Sequence, residues 1–149
     1  MTTSSAERAR DEIILLARIL LILLFVVFGW AKLMNYGATV SYMTRTGLPV
    51  PSIAALVAIV AEFFVGLMVA VGLWTRPLAL LLALYTLGTA LIGHHFWSLA
   101  GADRYANAIH FYKNICIIGG FLLLYVTGPG KYSLDAMLGA RTDSQARVT

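Results

Sequence analysis

The chain has 149 residues, 60% of them hydrophobic and only 12% charged, and its mean hydropathy is +0.82. Soluble domains carry roughly half apolar and a quarter charged residues, so too few polar groups remain here to coat a water-facing surface, and a soluble globular enzyme is excluded. The length supports one domain, and the net charge of +4 is informative only by location; no nucleic acid partner is expected.

Residues 1–12 are polar and read as an N-terminal tail ahead of a membrane domain over residues 13–135. The apolar run from Ile13 to Ala31 is too long for the core of a cleaved signal and carries no small-residue cleavage site after it, so it reads as a retained first span. Leu33 to Pro51 is the longest connection, and Tyr36, Tyr42, Met43 and Arg45 suggest a short amphipathic segment at headgroup level. A second span is expected over Ser52–Trp74 and a third over Pro77–Trp97, joined by Thr75 and Arg76 in a tight antiparallel hairpin. The fourth runs from Asn107 to Thr127 and is stopped by Gly128, Pro129 and Gly130. Residues 136–149 form a second polar tail. The expected fold is therefore all-α and integral to the membrane, a four-transmembrane-helix up-down bundle in a lipid bilayer.

Arg8, Arg10, Arg76, Lys131 and Arg141 flank one side of these spans, against Lys32, Arg45 and Arg104 on the other. The positive-inside rule then places both termini in the cytoplasm. The single cysteine, Cys116, lies in an apolar run, which rules out an internal disulfide relay and fits a small buried hydrophobe.

Ionisable side chains inside a span cost a few kcal/mol each on insertion scales and are functional candidates by default. Here they are Arg18, Glu62, His94, His95, His110 and Lys113. Glu62 is the sharpest: it lies about 15 Å by helical rise from the outer end of its span, too deep to reach water. It shares a row of small residues, Ala54, Ala58, Gly66 and Ala70, that admits a close neighbouring helix. A dry carboxylate either keeps its proton or finds a cation. In the last span His110, Lys113 and Asn114 share one face, and Lys113, about 9 Å inside, is the expected partner of Glu62. Arg18 and Lys32 mark the two ends of a stripe on the first span, as anchors would. His94 and His110 stand at similar depth on consecutive helices and can approach each other. Haem is not expected between them, because nothing else marks a haem pocket, and no metal site is expected.

Several stretches, in this order, resemble the DoxX family of small bacterial four-helix membrane proteins: Phe28-Gly29-Trp30-Ala31-Lys32-Leu33, Glu62-Phe63-Phe64-Val65-Gly66, Gly72-Leu73-Trp74-Thr75-Arg76, Lys113-Asn114 with Gly119-Gly120, and Gly128 to Asp135. The resemblance implies a location in a bacterial inner membrane and membrane redox chemistry, as in subunits of thiosulfate:quinone oxidoreductase or proteins that accompany quinone and catechol detoxification. It carries the family pattern onto Lys32, Glu62, Arg76, Lys113 and Asn114, while the extra domain of a thiosulfate-oxidising partner is not seen.

The resulting expectation is a quinone-linked oxidoreductase or its membrane subunit. Glu62 exchanges protons, with His110 and Lys113 as its catalytic neighbours; Lys113, His110 and Asn114 orient a quinone carbonyl, and Lys32, Arg76 and His94 also contact the quinone. Electrons come from a partner redox protein. A non-catalytic scaffold for a redox complex is the first alternative. A proton-coupled transporter is the second, and with four spans it would need to form a homo-oligomer.

Overall fold

A computed structural model of the chain describes residues 3–139. It is helical throughout, with no strand among the described residues, and four helices are long and apolar enough to cross a membrane: Ser5–Met34, Pro51–Val71, Thr75–Ser98 and Gly101–Thr127.

The first helix runs unbroken over Thr3–Met34. The polar segment before Ile13 is thus a continuation of the first span, because its Ala, Glu and Arg residues favour helix and no breaker separates them from the apolar run. A ten-residue helix, Tyr36–Arg45, follows with no buried residue. It is tied down where the Tyr36 hydroxyl donates to the Ser52 carbonyl at 3.2 Å.

Val50 adopts a left-handed conformation and Pro51 opens the second span at its first helical position, where a missing amide hydrogen costs nothing. Midway the helix widens into a π-helical turn, Val60–Val65, before returning to α-helix over Gly66–Val71. It closes in a Schellman motif: Leu73 donates to Met68 at 2.9 Å and Gly72 to Val69 at 3.0 Å, with Gly72 at φ 75°, a conformation that only glycine adopts freely. Thr75 and Arg76, expected as the hairpin turn, are instead the first residues of the third helix, Thr75–Gly93. The turn is Gly72-Leu73-Trp74. His94 and His95 fall beyond the third helix, ahead of a short 3₁₀ turn, Phe96–Ser98. The fourth helix starts at Gly101, six residues earlier than its apolar run.

Although the second and third spans share the shortest connection, the second packs mainly on the first and the third mainly on the fourth. The four meet in a core that includes Ile22, Phe25, Ala61, Leu82, Phe121 and Leu124, with the Phe25 and Phe121 rings edge to face at 5.3 Å. In lipid such packing acts through van der Waals contact, since the hydrocarbon outside is as apolar as the core. Large apolar side chains such as Leu16, Leu84, Leu123 and Val126 accordingly face outward.

The end of the bundle where the first helix starts and the fourth ends is held by the segment after the fourth span. Arg18 is 2% exposed and donates to the carbonyls of Pro129 and Tyr132, so it is a buried brace and not the snorkelling anchor expected of it. Asp135 accepts from the backbone amides of Trp74 at 2.7 Å and Thr75 at 2.9 Å, while its own amide donates to the Gly72 carbonyl. It thereby caps the third span across sixty residues of sequence. The Ser133 hydroxyl accepts from the Ala136 amide at the start of a last helical stretch, residues 134–139. The rest of the C-terminal tail, including Arg141, lies outside the described residues.

Candidate functional site

Glu62 sits in the π-helical turn of the second span. A π turn inserts one extra residue into the helical register and is frequent at functional sites. On the facing side Gly29 lets the first span come against the Glu62 backbone: a Cβ at Gly29 would lie 2.9 Å from the Glu62 carbonyl carbon and from its Cβ. No side chain fits between the two helices there, and Lys32, one turn beyond Gly29, is brought over the carboxylate.

The cation beside Glu62 is therefore Lys32, with Nζ to Oε2 at 2.5 Å. Lys113, the expected partner, is exposed on the fourth span and donates to His110 Nδ1 at 3.3 Å. The reason is tertiary: the first span, not the fourth, is the close neighbour of the second at this depth. The other carboxylate oxygen of Glu62 accepts from the Tyr85 hydroxyl at 2.7 Å. Tyr85, on the third span, went unremarked in the sequence, yet a phenol within an apolar span needs a hydrogen-bond partner, and that requirement was a usable signal. Both oxygens of a deep carboxylate are thus occupied, one by an ammonium and one by a phenol.

A cavity of about 650 Å³ opens onto this cluster. Its deep end is formed by Lys32, Glu62 and Tyr85, its walls by Ala54, Val57 and Ala58 of the second span and Gly88, Thr89 and Ile92 of the third. Tyr42 and Met43 of the connecting helix, with His94 and His95, complete the lining. The small residues leave the space: a Cβ added at Gly88 would meet nothing within 4 Å. The ion pair is largely screened, with the Lys32 side chain 27% and the Glu62 side chain 13% exposed.

The remaining candidates divide. His94 lines the cavity, stacks on His110 with ring centroids 5.0 Å apart and contacts the Asn107 carboxamide oxygen at 3.2 Å through Nδ1. His110 and Lys113 do not line it. Asn114 is buried within the bundle but is likewise absent from the lining. Arg76 is at the opposite end of the molecule, its guanidinium lying over Gly128. Seven residues read as one site are thus a cluster of Lys32 and Glu62 joined by Tyr85, with His94 on the same cavity and the others elsewhere.

The sequence profile of the DoxX family matches residues 13–95, from the first span to the histidines beyond the third. The chain belongs to the DoxX family. This DoxX protein is 48% identical over 127 residues to Inner membrane protein YphA of Escherichia coli, covering 85% of this chain and 91% of that one. It is 39% identical over 135 residues to Inner membrane protein YqjF of the same organism, covering 91% and 98%. A more distant likeness, 25% identity over 132 residues, joins it to ER-derived vesicles protein ERV29 of Saccharomyces cerevisiae, of which it spans 36%. No solved structure matches it. The names of the two bacterial relatives place them in the inner membrane, and four apolar helices fit this DoxX protein to a bilayer as well.

Proposed function

We propose that this DoxX protein is the membrane subunit of a quinone-linked oxidoreductase, and that the cavity between the second and third spans takes the quinone ring. The observation that carries this reading is a mostly apolar cavity whose deep end holds an ammonium, a carboxylate and a phenol. Reducing a quinone takes two electrons and two protons, and the protons must reach an apolar site. Lys32 has N–H groups left over from its bond to Glu62 to donate to a quinone carbonyl. The Tyr85 hydroxyl, which donates to Glu62 at 2.7 Å, passes its proton to the ring and is reprotonated by way of Glu62. His94, on the same cavity, exchanges protons with water. These roles replace those first given to Lys113, His110 and Asn114. Electrons come from a partner redox protein.

The test is quinone content per chain after purification in mild detergent and organic extraction. Near-stoichiometric quinone is expected in the wild type, severalfold less in Glu62→Gln and Tyr85→Phe, and almost none in Gly88→Leu, whose side chain fills the cavity. No enrichment over bulk lipid in the wild type sinks the reading and leaves the scaffold in first place.

We also place the protein in the inner membrane with both termini in the cytoplasm. Lys32 is engaged in the site, so the flanking charges that orient the chain are still more one-sided than the sequence count. A C-terminal alkaline phosphatase fusion should be inactive; an active one reverses the orientation.

A further inference from the structure

The first and fourth spans touch through Phe25 and Phe121 and leave a groove beside that contact, a second cavity of about 640 Å³ that shares no lining residue with the first. Its walls are aliphatic, with Leu20, Leu21 and Leu24 facing Ile117, Leu123 and Leu124. At the terminal end the Pro129-Gly130 turn packs on the first span, since a Cβ at Gly130 would lie 3.0 Å from Ile14 Cγ2. Three polar side chains reach this groove: Arg18, Thr127 and Lys113. Arg18 is committed to two backbone carbonyls and the Thr127 hydroxyl donates to the Leu123 carbonyl at 2.9 Å. Lys113 differs: its ammonium has only the His110 imidazole, a neutral acceptor, at 3.3 Å, and no carboxylate pairs with it among the described residues.

Two cations therefore mark the ends of a largely aliphatic slot: Arg18, buried and held by backbone carbonyls at one end, and Lys113, exposed and without a carboxylate among the described residues, at the other. From Lys113 to Thr127 the helix rises about 21 Å, more than one leaflet's half of a bilayer core of roughly 30 Å. Lys113 leans toward His110, the direction of the nearer membrane surface, as a snorkelling lysine does. His110, accepting at Nδ1, keeps its ring proton on Nε2 and so offers a second donor at the same level. At the depth of the span a second copy of the chain offers no free carboxylate, because the one carboxylate deep in a span, Glu62, is already paired with Lys32.

We propose that this groove is a binding site for an anionic phospholipid, its phosphate held by Lys113 and His110 and one acyl chain lying between the first and fourth spans. The site is independent of the quinone reading. Native mass spectrometry of the full chain in detergent, with equal amounts of phosphatidylglycerol and phosphatidylcholine of identical chains, tests it. Phosphatidylglycerol should be retained severalfold over phosphatidylcholine, Lys113→Gln should abolish that preference, and Ala17→Phe, which projects from an exposed position into the groove, should lower retention of both lipids. Equal retention by the wild type overturns the proposal, as does a preference that survives Lys113→Gln. Wild-type retention in Ala17→Phe overturns the seating of the chain. Displacement of phosphatidylglycerol by an equal concentration of palmitate overturns the phospholipid as the occupant and assigns the groove to a free fatty acid.

Discussion

Lys32 and Glu62 constrain each other. A carboxylate placed this deep needs a cation or a proton, and removing one member of a screened pair strands the other in a medium that solvates it poorly. Lys32→Met should lower stability by on the order of 3 kcal/mol, read as a reduced melting temperature in detergent, and Lys32→Met combined with Glu62→Gln should recover most of the loss. If the single and double variants melt alike, water in the cavity already solvates the charge and the pair contributes nothing. Tyr85 does not substitute for the lysine, because a phenol donates a hydrogen bond without cancelling the charge.

Among the elements, the second span departs most from regularity. Its π-helical turn lies at the level where Gly29 lets the first span touch its backbone, and together they set where the carboxylate points. Gly29→Ala forces a methyl against the Glu62 backbone, with an overpacking cost of about 1–3 kcal/mol; melting temperature and quinone content should fall together. Gly88→Ala is the control, since a Cβ there meets nothing within 4 Å and helix propensity favours alanine, so its melting temperature should not fall. An unaltered Gly29→Ala protein would show that the two helices are less closely apposed than the structure has them. The apolar runs made four spans legible, and Pro51, Pro77 and Gly128 located three of their ends to within a few residues, while the polar starts of the first and fourth helices extend well beyond the apolar runs. The π turn was not legible, because Val-Ala-Glu-Phe-Phe-Val carries no breaker and its register is set by the helix beside it.

At the scale of the whole molecule, the two ends of the bundle are built differently. The end where the first helix starts is braced by Arg18 and Asp135, which bind the segment after the fourth span to the first span and to the turn before the third. The other end is open, carrying the candidate site beneath an exposed connecting helix. Asp135→Ala removes the cap on the third span, at a cost of about 1 kcal/mol, and should speed hydrogen exchange at the Trp74 and Thr75 amides while leaving quinone content unchanged. Unchanged exchange at those amides would show that the tail does not cap the helix.

Composition and the spacing of apolar runs by themselves determined that this chain is a four-helix membrane protein, because the bilayer sets both the length and the polarity of any helix that crosses it. The cost of burying charge likewise singled out Glu62 without reference to any neighbour. Its partner was a different kind of question. By depth along the bilayer normal Lys113 was the nearer match and Lys32 stood at the end of its span, and depth is all that a single helix reveals. Which helix stands beside which is decided laterally, by the contact that Gly29 permits between the first and second spans, and that contact gave Glu62 to Lys32, brought in Tyr85 and left Lys113 facing an apolar groove.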